Sequence, residues 1–206
     1  MPLFKTITLN KNAKVLIWKI KESFEELSKD VFLTDKNQNR VNNMKSEIHK
    51  RGFLSVRCLL KEVGYSDEDL IYDEFGKPHL KDKKYISITH SYTFSGIIIA
   101  DDTPVGIDIE MQRDKIKKIA HKFTPIKKYT EIGENLIKKL TVVWGAKESL
   151  YKIYGKKKLR FLEHIFIDYF SLKQNKTKGK IKYNNKIITF DICFLEFEGF
   201  TCVYAF

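Results

Sequence analysis

VGIDIE, Val105–Glu110, reads as a strand that is apolar on one face and acidic on the other. Side chains two apart on a strand leave the same face, so Asp108 and Glu110 project together while Val105, Ile107 and Ile109 take the opposite side. Two neighbouring carboxylates repel one another. A hard divalent cation such as Mg²⁺ relieves that repulsion, because it takes oxygen ligands and keeps waters or substrate phosphates in the rest of its shell. The simpler alternative is an acidic solvent face.

Downstream, residues 131–154 have helical periodicity and contain WGAKES, Trp144–Ser149. On a helix, Trp144, Glu148 and Lys152 stand at i, i+4 and i+8, one vertical stripe. Glu148 could add a third oxygen to Asp108 and Glu110, and Lys152 could touch a phosphate held nearby. The alternative is an exposed Glu–Lys pair worth only about 0.2–0.5 kcal/mol. A near copy, WKIKES, occupies Trp18–Ser23 and matches at four of six positions. It straddles a strand end and a helix start, and no D-x-E strand precedes it. Glu22 there reads as a first-turn acid favoured by the helix dipole.

Around this pair of elements the chain reads as mixed. Residues 3–9 and 14–20 are expected strands with a turn at Asn10–Asn12. ESFEELSKDVF is an expected helix, Lys36–Asn43 a polar loop or the capped start of a helix, and 44–63 an amphipathic helix ended by Gly64. Residues 72–80 form a strand–turn–strand around Gly76 and Pro78, and 85–91 and 95–100 are strands. A helix is expected over 113–123 and strands over 164–172, 180–184, 186–197 and 200–206. Ser171–Lys186, with six lysines and no acid, reads as a hairpin tip. The fold class is α/β (α+β): two similar α/β halves related by a pseudo-twofold. Residues 1–102 make the N-terminal half, and 103–206 make the C-terminal half carrying the metal ligands.

Other residues suit phosphate binding. Lys77 sits in a stiff Gly-Lys-Pro turn, Thr89-His90-Ser91 closes a strand, and Arg51 and Arg57 come from the amphipathic helix. The histidines show no metal spacing, and there is no Walker loop, G-x-G-x-x-G or nucleophile elbow. Cys58, Cys193 and Cys202 lie among apolar neighbours and read as buried thiols.

In order along the chain, GKPHL (76–80), ISITHS (86–91), VGIDIE (105–110) and WGAKESLYK (144–152) resemble the Sfp-type 4'-phosphopantetheinyl transferases. That resemblance implies transfer of the phosphopantetheine arm of coenzyme A to a serine of an apo acyl or peptidyl carrier protein, with release of 3',5'-ADP. It implies Asp108, Glu110 and Glu148 as ligands of Mg²⁺, and Glu148, Lys152 and His90 as catalytic residues. It implies Arg51, Arg57, Lys77, Thr89, His90 and Lys152 as contacts to coenzyme A, and an active site between the two halves. One departure stands out. Relatives often carry a glutamate shortly after Phe-Ser/Thr, whereas here Phe123-Thr124 is followed by Pro125, Ile126 and Lys127. The first acid is Glu131, so Glu131 or a metal-bound water is left to take the serine proton.

Charge bears on the partners. The net charge of +12 in 206 residues favours an acidic carrier. It also permits a nucleic-acid module tracked by lysine runs 156–158 and 173–186, but no nucleic-acid motif is present and the acids gather in the candidate site. A family member that has lost catalysis and serves as a scaffold is the other alternative. No apolar run approaches the roughly 18–20 residues of a membrane span, and the N-terminus lacks the order of a signal peptide. A cytoplasmic monomer without a membrane partner is therefore expected.

Overall fold

The computed structural model describes residues 3–9 and 12–206. The expected turn at Asn10–Asn12 lies outside them except for Asn12, which takes a left-handed φ of 51°. The chain divides into two compact units, Met1–Pro104 and Val105–Phe206. Each is a mixed α+β assembly in which helices pack on a wholly antiparallel sheet.

In the first unit, β1 (Leu3–Leu9), β2 (Ala13–Lys19), β5 (Tyr85–Ser91) and β6 (Phe94–Ala100) form a sheet in the order β1-β2-β6-β5. Strand β6 is buried throughout, as its run of isoleucines requires. Helix α3 (Glu47–Glu62) lies on β2, β5 and β6 and buries Phe53, Leu54, Val56, Leu59 and Leu60. It starts later than its apolar pattern suggests, because Ser46 is extended. Ile48 therefore falls in the first turn and is exposed. Val63 closes the helix, and Gly64 follows at φ +84°, the left-handed position glycine favours.

Two short helices precede α3. Helix α1 (Phe24–Asp30) has a capping box between Ser23 and Glu26. Glu22 thus lies outside the helix, and its Oε2 instead accepts from the Lys21 amide at 2.9 Å. Of the two alternatives for Lys36–Asn43 the capped helix forms, as α2 (Asp35–Asn42), whose N-cap Thr34 accepts from the Asn37 amide. A small ladder of β3 (Leu70–Tyr72) and β4 (Pro78–Leu80) completes the unit.

The second unit has the sheet order β7-β11-β10-β9-β8, from β7 (Gly106–Met111), β8 (Ile165–Ile167), β9 (Lys176–Tyr183), β10 (Lys186–Phe197) and β11 (Phe200–Ala205). The 22-residue helix α5 (Gly133–Tyr154) spans it. Leu140, Val143, Ala146 and Leu150 pack with Ile165, Ile181, Ile192 and Val203. The expected helix at 113–123 is shorter: α4 (Lys115–Ile119) runs into a 3-10 turn at Ala120–Lys122.

Two expectations fail here, the first because polar side chains occupy the outer face of a real strand and the second because a helix and a turn trim one. Ser171–Lys186 is mostly β9, in which Lys176, Lys178, Lys180 and Lys182 alternate with inward Thr177, Gly179 and Ile181. Only Asn184 and Asn185, both at positive φ, make the tip. The strand expected at 164–172 shrinks to β8, because α6 (Phe161–His164) precedes it and a 3-10 turn at Leu172–Gln174 follows.

Candidate active site

The geometry of the second unit starts from two glycines. A Cβ on Gly106 would lie 2.0 Å from the Ser149 carbonyl oxygen, and one on Gly145 would lie 2.8 Å from Val203 Cγ2. Their missing side chains let α5 close onto β7 and β11. Ser149 Oγ then donates to the Val203 carbonyl at 3.1 Å. Gly145 and Ser149 stand at i and i+4, so the helix presents one small-residue face to the sheet.

Asp108 and Glu110 pair in register with Val203 and Thr201 of β11, on the sheet face that α5 covers. Lys152, from the last turn of α5, donates through Nζ to Asp108 Oδ1 at 2.8 Å and to the Ile107 carbonyl at 2.7 Å. Trp144 Nε1 donates to Glu110 Oε1 at 3.3 Å. The indole is held edge-on between the rings of Phe123 and Phe161, at 5.1 and 5.4 Å. Trp144 therefore orients the Glu110 carboxylate as well as packing between the two rings.

The electrostatics tie Glu148 to the strand pair. Burial pushes its carboxyl up to about 7, and Asp108 and Glu110 add to that rise while Lys152 opposes it. Glu110 is raised by burial and by Asp108, against the Trp144 hydrogen bond and the charges of Lys152 and Arg113. Three carboxyl groups thus share one field, with Lys152 and, at Glu110, Arg113 as counter-charges. Among the described residues, no three His, Cys, Asp or Glu side chains already stand in a metal-binding arrangement. The donor set nevertheless suits a hard divalent cation, since it is all oxygen and holds more negative charge than Lys152 offsets.

Beside Glu148 opens a groove of about 640 Å³. Trp144, Tyr151 and Phe161 form its apolar wall, and Lys122 and Arg160 put positive charge on its lining. Sequence reasoning missed it, because Phe161 and Arg160 follow a loop whose course the pattern does not reveal.

Glu131 stands just before α5 and is committed elsewhere. Its Oε1 lies 3.0 Å from Nζ of the fully buried Lys139, which also donates to the Phe170 carbonyl. Burial alone would raise the Glu131 carboxyl, but hydrogen bonds and the charge of Lys139 bring it below its ordinary value. Phe123 and Thr124 are both buried, with Thr124 Oγ1 2.9 Å from the Tyr129 hydroxyl.

In the first unit, α3 and β5 bring Arg51 and His90 to one place. The His90 ring rests on Gly52, where a Cβ would come within 3.1 Å of Cγ and Nδ1, and it lies 6.2 Å from the His49 ring. Arg51 Nη2 donates to the Ile20 carbonyl at 3.3 Å, while its buried Nε has no hydrogen-bond partner among the described residues. Thr89 is buried one residue before His90. Lys77 is in the turn between β3 and β4, which Asp73 organises by accepting from the Phe75 and Lys77 amides at 2.9 Å each. Burial lowers the Lys77 ammonium, against the charge of Asp73.

Arg57 is placed differently from its expected companions. It is 4 % exposed, and its Nε donates to Asp67 Oδ1 at 2.9 Å. Its guanidinium lies 3.5 Å from the centroid of Phe53. Asp67 also accepts from Asn37 Nδ2, Thr34 N and Thr34 Oγ1. This arrangement locks α2 and α3 to the 3-10 turn at Asp67–Asp69, so Arg57 serves the core of the unit.

Residues 104–204 match the family profile of the 4'-phosphopantetheinyl transferase superfamily. The second unit of this chain is a domain of that superfamily, the class its strand and helix motifs resemble. A comparison with curated proteins finds no match. The match spans nearly the whole of that unit and supports phosphopantetheine transfer as its general chemistry.

Proposed function

We propose that this protein transfers 4'-phosphopantetheine from coenzyme A to the serine of an acidic apo acyl or peptidyl carrier protein and releases 3',5'-ADP, with Mg²⁺ required. The observation that carries this reading is the coupled set of Asp108, Glu110 and Glu148 with Lys152 at its edge. In the reaction the serine Oγ gives up its proton to a base, Glu131 or a water, and forms a bond to the phosphorus next to the pantetheine. The bond from that phosphorus to the bridging oxygen breaks, and the electron pair leaves with 3',5'-ADP.

Mg²⁺ held by Asp108, Glu110 and Glu148 would neutralise charge on the pyrophosphate oxygens. Trp144 fixes Glu110 by its indole hydrogen bond. Lys152, within hydrogen-bond reach of Asp108, would offer its ammonium to a phosphate oxygen, where preorganised positive charge counts most. Arg51, Lys77, Thr89 and His90 are assigned to coenzyme A, and the buried Nε of Arg51, without a partner among the described residues, supports its share. The helix-on-antiparallel-sheet content common to both units supports reading them as two halves of one plan.

Intact mass of an apo carrier protein, incubated with this protein, coenzyme A and Mg²⁺ and with a chelator control, tests the proposal. The expected result is a metal-dependent gain of one phosphopantetheine arm. No gain on any of several carriers, alongside measurable coenzyme A binding, would replace it with the catalytically impaired reading. The pairing of Glu131 with Lys139 gives that second reading its specific support, since the only acid after Phe123-Thr124 in this loop is already engaged.

A further inference from the structure

Positive charge is unevenly divided. Residues 105–206 carry 21 Lys and Arg against 11 Asp and Glu, a net of +10 out of the chain's +12. Part of this excess forms a surface that the transfer reaction does not use. Lys180 and Lys182 project from one face of β9, and the register places Phe166 opposite Lys180 and Ile187 opposite Lys182. The face is the one opposite Asp108 and Glu110, because Thr189 opposite Lys180 shares it with Cys193, Tyr204 and Ile107 across the sheet. A carrier serine docked there would stand on the wrong side of the sheet for transfer.

Apolar groups accompany the lysines. Ile187, 63 % exposed, shares the face of Lys182, while Ile188, 51 % exposed, lies on the other face with Lys186, so both sides of the hairpin end beside the Asn184–Asn185 turn carry a lysine and an isoleucine. Phe166 is partly exposed, with Lys182 Nζ 5.1 Å from its ring centroid. The tight turn with two left-handed asparagines keeps this end of the hairpin narrow and projecting. Lysines beside protruding aliphatic side chains match an interface that is anionic at its surface and apolar just beneath. A single-stranded nucleic acid would use the lysines and Phe166, but bases gain their stacking energy on aromatic rings and leave Ile187 and Ile188 unrewarded.

We propose that the β9–β10 hairpin end, with Lys182, Lys186, Ile187, Ile188 and the adjoining Phe166, docks this protein peripherally on an anionic lipid bilayer. The lysines meet headgroup phosphates and the isoleucines enter the headgroup–acyl boundary. The expectation of no membrane partner rested on the lack of a span, and no helix among the described residues is long and apolar enough to cross a membrane. Docking of this kind needs none.

The test is co-sedimentation of the full chain with vesicles of phosphatidylcholine alone and of phosphatidylcholine with phosphatidylglycerol, beside binding of a labelled oligouridylate in the same buffer. The expected result is partitioning onto the anionic vesicles only, weakened by salt. K182Q/K186Q should lower it by about fivefold for each lysine removed. Ile187→Ser should lower it further, and Ile187→Trp should give a blue-shifted emission with anionic vesicles only. These positions are exposed, so the fold is retained, and coenzyme A binding serves as the check. Equal partitioning of wild type and K182Q/K186Q would overturn the proposal, as would no vesicle binding by wild type. Oligouridylate binding lost in K182Q/K186Q without vesicle binding would assign the surface to nucleic acid instead.

Discussion

Lys152 Nζ and Asp108 Oδ1 lie 2.8 Å apart, so the first carboxylate of the D-x-E strand is already engaged by the lysine that follows Glu148 by one helical turn. That contact makes Lys152 a counter-charge to Asp108 at rest, and the proposed function gives it a phosphate oxygen during transfer. Replacing it by methionine keeps the stem and removes the ammonium. Lys152→Met is expected to lower kcat/KM for carrier modification by about 10²–10³-fold, the scale of losing one preorganised charge at a transition state. Intact-mass kinetics on a carrier protein read this out. A rate within a few fold of wild type would remove Lys152 from the mechanism.

Glu148→Gln separates charge from shape. The amide fills the same volume beside Trp144 and Tyr151, so thermal unfolding should remain cooperative. Transfer should fall by about 10²-fold or more, because one of three negative oxygen ligands is gone. The coupled fields of Asp108 and Glu110 on Glu148 motivate this expectation. Wild-type turnover by Glu148→Gln, at several Mg²⁺ concentrations, would sink the assignment of that residue.

The strand at 105–110 and the helix at 131–154 were legible because alternation and helical spacing are both strong there, and the observed β7 and α5 follow them closely. Asp108, Glu110 and Glu148 could be picked out as a group by these two periods alone. Other features were not visible, for physical reasons. Nothing in the sequence marks Lys139 and Lys147 as buried, yet both are buried on α5 and donate to backbone carbonyls, Lys147 to those of Phe161 and Ile165. Arg57 reads as one more cation on a basic helix, because its partner Asp67 lies beyond the helix end, where spacing rules carry no information. The lysines of β9 masked a strand, since outward positions tolerate any polar residue and the inward glycine at 179 adds no apolar signal. That glycine is required by packing: a Cβ there would meet Ile192 and Leu150 at 2.6 Å.

Arg57 and Asp67 give a prediction that sets stability against binding. Burial alone would raise the Asp67 carboxyl, but hydrogen bonds from Asn37, Thr34 and Arg57, with the Arg57 charge, hold it below its ordinary value. A carboxyl depressed on folding adds stability that is present above its unfolded value near 3.8 and is lost as pH falls through the folded value. Asp67→Asn should therefore cost about 3–5 kcal/mol at neutral pH, the scale of breaking a buried pair. The gap to wild type should narrow in acid below the ordinary carboxylate range. Urea unfolding at neutral and acid pH measures both, and an equal gap at the two would contradict it. Arg57→Met should destabilise similarly while leaving coenzyme A affinity of the remaining folded protein within about twofold, whereas a large loss of affinity would return Arg57 to the ligand contacts.

Gly106 offers the sharpest test of how the site is assembled. Its absent side chain is what allows the Ser149 carbonyl of α5 to come down onto β7, two residues before Asp108. Alanine there would place a methyl group 2.0 Å from that oxygen, a clash that only a backbone shift can relieve. Such overpacking costs about 1–3 kcal/mol, and more where backbone must move. Because the displaced segment carries Glu148 and Lys152, Gly106→Ala should lower both the unfolding temperature and the transfer rate. At Gly145 the nearest obstacle is the Val203 side chain, 2.8 Å away, which can adjust. Gly145→Ala should consequently cost less on both counts. Thermal unfolding and intact-mass kinetics on the two variants side by side decide it: a Gly106→Ala protein as stable and active as Gly145→Ala would mean that the closeness of α5 and β7 is not what builds the site.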